Sequence, residues 1–364
     1  MAYIGNKPTD VPLTSADITD GTITESDLSS SVLTLARNDI INGGYLINQE
    51  NNTSATDDSY SIGDLFLYVG ENSSTTSLQT SGGPQGDRNF ARINVDNANA
   101  QAGWVYFLTN DDCQDYIANG ALSFGIKAKT TSGAIDTIRI GILKWTGTAD
   151  SVTSDVVGTW ASDGTDPTLA TNWSYENTPS DLNLTTSWQR FTVENVTVDS
   201  DTNNIAIFIW IDDGTITAND QLDVTEWQLN PGATVNDFSS GSKTEELKKV
   251  EYFLERNNFD SATNEFTGLY GFQSTTTLTY AFWKLRTPKR AVPTFTFSDG
   301  ATFNVHYKGD NSVNETGGSL ATEIASPYGA RITFDHSAVG TAGDGIVIFR
   351  DGTDTAWIQS DIRL

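Results

Sequence analysis

Apolar and polar residues alternate along much of the chain between residues 42 and 238, a pattern typical of strands with one buried face. Segments 122–129 and 138–142 both show it. The segment 205–211 reads Ile-Ala-Ile-Phe-Ile-Trp-Ile and is apolar on both faces, as expected of a central strand. Its isoleucines are predicted to face an inter-sheet core, and Phe208 and Trp210 the opposite side. No helical period is evident, so the pattern predicts a jelly-roll-like β-sandwich over residues 41–238.

One segment after this region has a helical pattern. Residues 242–245 read Ser-Lys-Thr-Glu, which fits a capping box at a helix start. Leu247, Val250 and Leu254 then recur at helical spacing, with charged residues between them. We predict that this helix ends near residues 257–258.

The remainder returns to strand-like segments, such as 294–298, 330–334 and 345–349. The predicted fold class is mainly β: an extended N-terminal arm, a sandwich, one connecting helix and a smaller C-terminal β domain. The predicted boundaries are 1–40, 41–238, 239–258 and 259–364.

The first forty residues do not have the pattern of a domain. Two early prolines exclude an N-terminal helix, since proline lacks the backbone N–H and crowds the preceding turn. Ile18, Ile23 and Leu28 are spaced by five residues, which matches neither a helix nor a strand. We interpret residues 1–40 as an anchoring or oligomerisation arm, with disorder as the alternative.

Composition excludes several classes of function. The chain has 364 residues, with 21 Lys and Arg against 47 Asp and Glu, and a net charge of −26. Nucleic acid and anionic membranes would be repelled by that charge. One cysteine and two histidines exclude an intrachain disulfide and Cys-rich or His-rich metal centres. No window is apolar enough for a membrane span, so no membrane insertion is expected.

Aromatic residues in a polar stretch, 146–187, are the first candidate for binding. A tryptophan beside hydroxyl, amide and carboxylate groups can stack on the apolar face of a sugar ring. The predicted glycan-binding residues are Trp160, Trp173, Tyr175, Trp210 and Trp145. The alternative is that these rings fold back onto the sandwich and cover it, and Trp145 and Trp210 fit either a core or a groove.

Carboxylates cluster in residues 212–223, where the predicted metal ligands are Asp212, Asp213, Asp220 and Asp223. Oxygen ligands suit calcium, but EF-hand spacing is absent, so a solvated hairpin loop is the alternative. We expect no required cofactor, and a structural calcium ion is the one cofactor that these residues suggest.

The sequence does not predict an enzyme. Glycoside hydrolysis needs two carboxylates across a cleft, but pairs are unavoidable among 47 acidic residues. His336 beside Asp335 is typical of a surface pair. A basic cluster consists of Lys284, Arg286, Lys289 and Arg290. We expect it to contact an acidic surface of a neighbouring subunit or an anionic glycan, or to be a solvated strand edge.

Several segments, in order, resemble bacteriophage tail-fibre or receptor-binding virion proteins of marine phage type, which carry a carbohydrate-binding-like jelly roll. The opening Met1-Ala-Tyr-Ile-Gly-Asn and the segment 20–28 are similar to the start and shaft repeat of such fibres. Residues 41–49 and 222–232 resemble the first and last parts of the family's sandwich, and residues 245–253 its following helix.

The resemblance continues with the segment 290–296, which reads Arg-Ala-Val-Pro-Thr-Phe-Thr, and with the closing segment 357–364. The helix lacks the family's usual cysteine, and Lys289 replaces an apolar residue. The resemblance implies a virion location, a homotrimer, contacts with other virion proteins through residues 1–40, and adhesion to a host surface glycan without catalysis. A head-decoration or tail-scaffold protein that binds no sugar is the alternative, and a glycan depolymerase is the third.

Overall fold

The computed structural model describes residues 37–84, 88–98, 101–131, 135–212, 214–259, 268–307, 318–337, 341–350 and 356–364. The predicted arm at residues 1–40 lies almost wholly outside the described residues, and so do its apolar positions Ile18, Ile23 and Leu28.

The N-terminal part of the described chain forms two facing antiparallel sheets. Its strands are β1 (Ser54–Ala55), β2 (Ser59–Tyr60), β3 (Phe66–Gly70), β4 (Ser74–Gln79), β5 (Phe90–Asn94), β6 (Ala102–Leu108), β7 (Leu122–Thr130), β8 (Thr137–Trp145), β9 (Val157–Thr159), β10 (Thr168–Leu169), β11 (Trp173–Tyr175), β12 (Leu182–Asn183), β13 (Gln189–Val196), β14 (Asn204–Ile211) and β15 (Gln221–Pro231). Sheet I has the order β1-β4-β5-β15-β7-β13, and sheet II the order β11-β8-β14-β6-β3-β2, with β12 also paired to β8. Strands β9 and β10 form a separate two-stranded sheet.

The core between sheets I and II follows the predicted alternation. Ile205, Ile207, Ile209 and Ile211 of β14 are fully buried there, and Trp227 of β15 packs among them. Phe208 and Trp210 belong to a separate apolar cluster on the other face of sheet II. The prediction of a sandwich with a two-faced central strand is therefore confirmed.

In the described part of the chain, two α-helices accompany the strands. Helix α1 (Asn110–Asn119) lies within the region where we predicted none, so that expectation is wrong. Its N-cap Thr109 accepts a hydrogen bond from the Asp112 amide, and Gly120 ends it in a left-handed conformation with φ 71°. These capping residues were the sequence signal that could have predicted α1, because the helix is too short and too polar to show a clear helical period of apolar residues.

Helix α2 (Lys243–Glu251) confirms the predicted start, since Ser242 and Glu245 form the complete capping box. Its predicted end is wrong, because the chain turns after Glu251 and strand β16 (Leu254–Phe259) follows. Among the described residues, neither helix is long and apolar enough to cross a membrane.

The described residues of the C-terminal β unit form two further sheets. Its remaining strands are β17 (Leu269–Gln273), β18 (Leu278–Lys284), β19 (Thr294–Phe297), β20 (Phe303–Tyr307), β21 (Ser319–Ser326), β22 (Gly329–Asp335), β23 (Gly345–Arg350) and β24 (Ala356–Asp361). Sheet III has the order β16-β24-β19, and sheet IV the order β20-β23-β17-β18-β22-β21. Residues such as Phe303, Ile332 and Ile358 are buried in the core that the two sheets share.

The residues of the predicted basic cluster form ion pairs within this chain, and one of these pairs joins the C-terminal unit to the sandwich. The Lys289 Nζ lies 3.0 Å from a carboxylate oxygen of Glu255, and both side chains are fully buried. Arg286 pairs with Glu251, and Arg290 with Asp150 of the sandwich. The predicted basic cluster is thus used mainly inside this chain, which corrects the expectation of a partner's acidic surface or a solvated edge for these three residues.

Candidate ligand-binding surfaces

The outer face of sheet II is covered by residues 146–184, which we call the cover segment. This segment connects β8 toward β13 and includes strands β9 to β12. Val156 and Trp173 of the cover segment are buried against Leu67, Val105 and Phe208 of the sheet. An aromatic-lined sheet face that would otherwise be open to solvent has therefore become a second apolar core.

Three of the five predicted glycan-binding aromatics are buried in this second core. Trp145, Trp173 and Trp210 are 3%, 6% and 0% exposed, so they present no ring face to a ligand in this structure. The ring centroids of Trp145 and Trp173 are 5.1 Å apart, and Phe208 stacks on Trp210 at 4.6 Å. Apolar contact with the cover segment is the physical reason, and it corresponds to the alternative in which the rings cover the sandwich.

The other two predicted aromatics lie at the boundary of the second core. Trp160 is partly buried, with its ring centroid 6.0 Å from that of Phe208. Tyr175 is also partly buried and donates a hydrogen bond from its hydroxyl to the Pro167 carbonyl at 3.0 Å. A role in glycan binding stays a prediction for these two side chains.

Arg139 holds the cover segment in place. It lies directly beside Trp210 in the sheet and contacts Asp166 and Asp181 of the cover segment at 2.8 and 2.6 Å. Its Nε is also 2.7 Å from Asp212, which is fully buried and accepts a hydrogen bond from the Gly164 amide. Burial raises the pKa of Asp212, and the Arg139 charge opposes that shift.

The predicted calcium ligands do not converge in the described part of the chain. Asp212 is paired with Arg139, Asp220 accepts from the amide and hydroxyl of Thr217, and Asp223 receives two hydrogen bonds from Arg92. Asp213 lies outside the described residues. No group of three metal-ligating side chains occurs among the residues described, and calcium binding stays an untested prediction.

A polar cavity of about 450 Å³ lies where the open edges of sheets I and II approach each other. Its lining includes Glu176, Asn177, Ser180, Thr192 and Glu194. The Glu176 carboxylate accepts from the Asp199 amide and the Thr202 hydroxyl at 3.1 Å, and Asn177 bridges two backbone groups of β8. Several of its polar groups are thus engaged within the fold, and its lining contains no aromatic ring.

Sheet IV presents aromatic rings to solvent. Tyr270 and Phe272 of β17 pair across the sheet with Phe282 and Tyr280 of β18, so all four side chains are on one face. Tyr270, Phe272 and Phe282 are 55%, 40% and 54% exposed, and Tyr280 is partly exposed. We call these four residues the aromatic face. The intervening residues, such as Ala281, are buried in the core of the C-terminal unit.

Polar and apolar side chains continue the aromatic face across the sheet. Arg331 pairs with Phe282 in the register, its guanidinium is 4.7 Å from the centroid of the Tyr280 ring, and it contacts Glu323 at 2.6 Å. Ile324, 55% exposed, lies beyond Arg331 in the same row. A contiguous aromatic surface with a charged edge is typical of an interaction site.

Sequence reasoning missed the aromatic face, although a signal was present. Residues 280–283 read Tyr-Ala-Phe-Trp, with an aromatic on each side of the strand, and the pattern does not tell which side is the core. The structure buries Trp283 and exposes Phe282. Ala281 and the paired Gly271 lie on the core side together with Trp283, and the four rings of the aromatic face lie on the opposite side.

No family model matches this chain, and no curated protein sequence matches it. Similar solved structures are β-sandwich carbohydrate-binding modules. A family 61 module in complex with β-1,4-galactotriose has 11% identity and a TM-score of 0.32, over 54% of this chain and 99% of that one. A xylan-binding family 22 module from Paenibacillus barcinonensis has 8% identity and a TM-score of 0.29, over 52% and 94%.

A family 30 module from Clostridium thermocellum has 13% identity and a TM-score of 0.28, over 52% of this chain and 97% of that one. All three matches cover about half of this chain.

Proposed function

We propose that this chain is a non-catalytic, glycan-binding virion protein, most specifically a bacteriophage tail-fibre component that adheres to a host surface. The observation that carries the glycan-binding part is the aromatic face. Exposed aromatic rings can stack on the apolar faces of sugar rings, and charged side chains at their edge can hydrogen-bond to sugar hydroxyl groups. The virion part is supported by the ordered sequence resemblances, including the start of the chain and the segment 290–296.

The aromatic face is suited to weak contacts that add together. Two ring pairs from adjacent strands lie on the exposed face of the sheet, and Arg331 and Glu323 at its edge offer hydrogen-bond donors and acceptors to hydroxyl groups. A site this exposed gives modest affinity, but several copies on one particle raise the avidity by ~10²–10⁴ without new contacts. Adhesion rather than catalysis is the use that such a surface favours.

The test is binding to an array of neutral and acidic glycans by the wild-type chain and by a Tyr270→Ala/Phe282→Ala variant. Stacking on two rings predicts about tenfold weaker apparent binding for the variant, from ~0.5–1.5 kcal/mol per ring. Tyr252→Ala is the matched control, because Tyr252 is 42% exposed and lies outside the aromatic face. Equal binding by wild type and double variant would contradict the proposed use of this surface.

A second candidate for the same surface is self-association, which would also serve a virion protein. It is favoured by the near-neutral charge of residues 241–364, which hold 12 basic and 15 acidic side chains, so 12 − 15 gives −3, against −23 for the rest. Light scattering tests this second candidate, for which we expect a trimer with a mass near three times 39.4 kDa. If the Phe282→Glu variant were monomeric, the aromatic face would be an assembly interface and not a sugar-binding surface.

A further inference from the structure

A second pocket, on the outer face of sheet I, is independent of the aromatic face. Its volume is about 270 Å³, and it lies between strands β7, β13 and β15 and the segment that follows β15. Its lining includes three cations, Arg88, Lys127 and Arg190, and two carboxylates, Glu226 and Asp237, with Phe238 as one wall. In a chain of net charge −26, this pocket carries a small net positive charge.

A β-bulge places Glu226 in this pocket. Thr225 pairs with Lys127 and Gln228 with Gly125, so two residues of β15 lie opposite Ile126 alone. Trp227 then enters the inter-sheet core, and Glu226 remains on the outer face with φ 56°, a strained conformation for glutamate. Strained residues of this kind are enriched at ligand sites.

The Glu226 carboxylate is 6% exposed and already has two cationic neighbours. Lys127 Nζ is 3.0 Å from one of its oxygens, and Arg88 Nε is 3.3 Å from the other. The Glu226 carboxylate lies in the lining of the pocket between these cations, where its oxygens can accept hydrogen bonds from ligand hydroxyl groups. It also disfavours a dianionic ligand such as phosphate, which would approach a fixed negative charge.

Arg190 has a more weakly held partner. Its Nη1 contacts Asp237 at 2.8 Å, but the Asp237 side chain is fully exposed, and its guanidinium also donates to the Asn236 carbonyl. An ion pair whose acid is in solvent contributes little stability, so an incoming carboxylate can replace Asp237 at low cost. The planar guanidinium then offers the geometry that binds a carboxylate in a bidentate manner.

We propose that this pocket binds one acidic sugar residue of the hexuronic acid class. Arg190 takes the sugar carboxylate in place of Asp237, and Glu226 accepts from the ring hydroxyls. A ligand with one negative charge and several hydroxyl groups is complementary to a pocket whose three cations and one carboxylate, Glu226, remain after Asp237 is displaced. The volume, near the lower limit of ordinary ligand pockets at ~300 Å³, suits a single ring. This site extends the proposed function to acidic glycans and does not depend on the aromatic face.

The test is ligand-detected NMR titration of the full chain with glucuronate, with glucose as the uncharged probe and inorganic phosphate as the simple anion. Glucuronate is expected to bind more tightly than both. Arg190→Gln is expected to weaken glucuronate binding by about tenfold or more, the usual cost of a lost charge-assisted hydrogen bond. Asp237→Asn removes the competing carboxylate and is expected to tighten it by up to about fivefold.

Lys144→Gln is the matched control, since Lys144 also pairs with exposed aspartates, Asp199 and Asp201, but lies outside the pocket. It is expected to leave glucuronate binding unchanged. The assignment is overturned if folded wild type does not bind glucuronate, if glucose or phosphate binds equally well, or if Arg190→Gln has no effect. Tyr270→Ala/Phe282→Ala should retain glucuronate binding, so failure at the aromatic face and failure at this pocket are distinguishable.

Discussion

Two sheets of this protein carry large aromatic side chains on the face directed away from the main core, and the two faces have opposite fates. On sheet II, Phe208 and Trp210 are fully buried because the cover segment packs over them. On sheet IV, Tyr270 and Phe282 remain about half exposed. The comparison teaches that an aromatic residue in a strand does not by itself identify a binding surface. Whether its ring is exposed depends on whether a long connection, such as the cover segment, packs over that face of the sheet.

The largest expected effect separates the two faces by stability. Trp210→Ala removes a fully buried indole and should lower the free energy of unfolding by about 3–5 kcal/mol. Phe282→Ala removes a half-exposed ring whose main contacts are cross-strand pairs, and should cost less than about 1 kcal/mol. Urea denaturation of both variants measures the difference. Similar losses of unfolding free energy for the two variants would mean that the outer face of sheet II and the aromatic face contribute equally to stability.

The next effect concerns the arginine beside each face. Arg139→Gln leaves the buried Asp212 carboxylate without its cation and should cost about 3 kcal/mol, with a red shift of tryptophan fluorescence as the cover segment loosens. Arg331→Gln is the matched control, because its pair with Glu323 is partly exposed and contributes less than about 1 kcal/mol. If the Arg139 variant keeps native fluorescence and stability, the cover segment does not depend on this arginine.

Residue patterns predicted the parts of the fold that local physics determines. The isoleucines of β14 alternate because each one enters the inter-sheet core, and Ser242 and Glu245 start α2 through hydrogen bonds within four residues. The end of α2 was not predictable in the same way, since Leu254 continues the apolar spacing but belongs to a strand paired with β24. Pairing with a distant strand leaves no local signal.

The candidate sites were less accessible to sequence reasoning for the same reason. Trp173 has polar sequence neighbours, yet Phe107 and Trp145, distant in sequence, bury it. Glu226 reads as one acidic residue among many, and only the bulge and the approach of Arg88 and Lys127 make it part of a pocket. In both cases the neighbours that define the site come from other strands.

The smallest expected effect is a pH dependence of stability that arises near the cover segment and not at the aromatic face. Burial, with the charges of Asp57 and of Asp155 in the cover segment, raises the pKa of Asp58 to about 6. Because this pKa is above the ordinary value near 3.9, the folded state holds the proton more tightly, and stability falls as the pH rises from about 4 through 6. Solvent screening limits the effect to about 0.5–1 kcal/mol.

Asp58→Asn removes this charge and should therefore raise the thermal midpoint at pH 7 relative to wild type, with the difference shrinking toward pH 4. The Phe282→Ala variant should follow the wild-type pH profile, since it does not alter the cover segment. A constant difference between Asp58→Asn and wild type at all pH values would show that Asp58 titrates normally.

The pairing of β16 with β24 has a mechanical consequence. Six residue pairs join the strand that enters the C-terminal unit to the strand that leaves it, and Arg363, just beyond β24, is buried against Glu50 of the sandwich. A pulling force applied at the aromatic face would therefore reach the sandwich along the backbone through α2 and also through side-chain contacts, including Arg363 with Glu50 and Arg290 with Asp150. Because several contacts share the load, we expect the C-terminal unit to resist rotation against the sandwich, so that the aromatic face keeps its direction under tension.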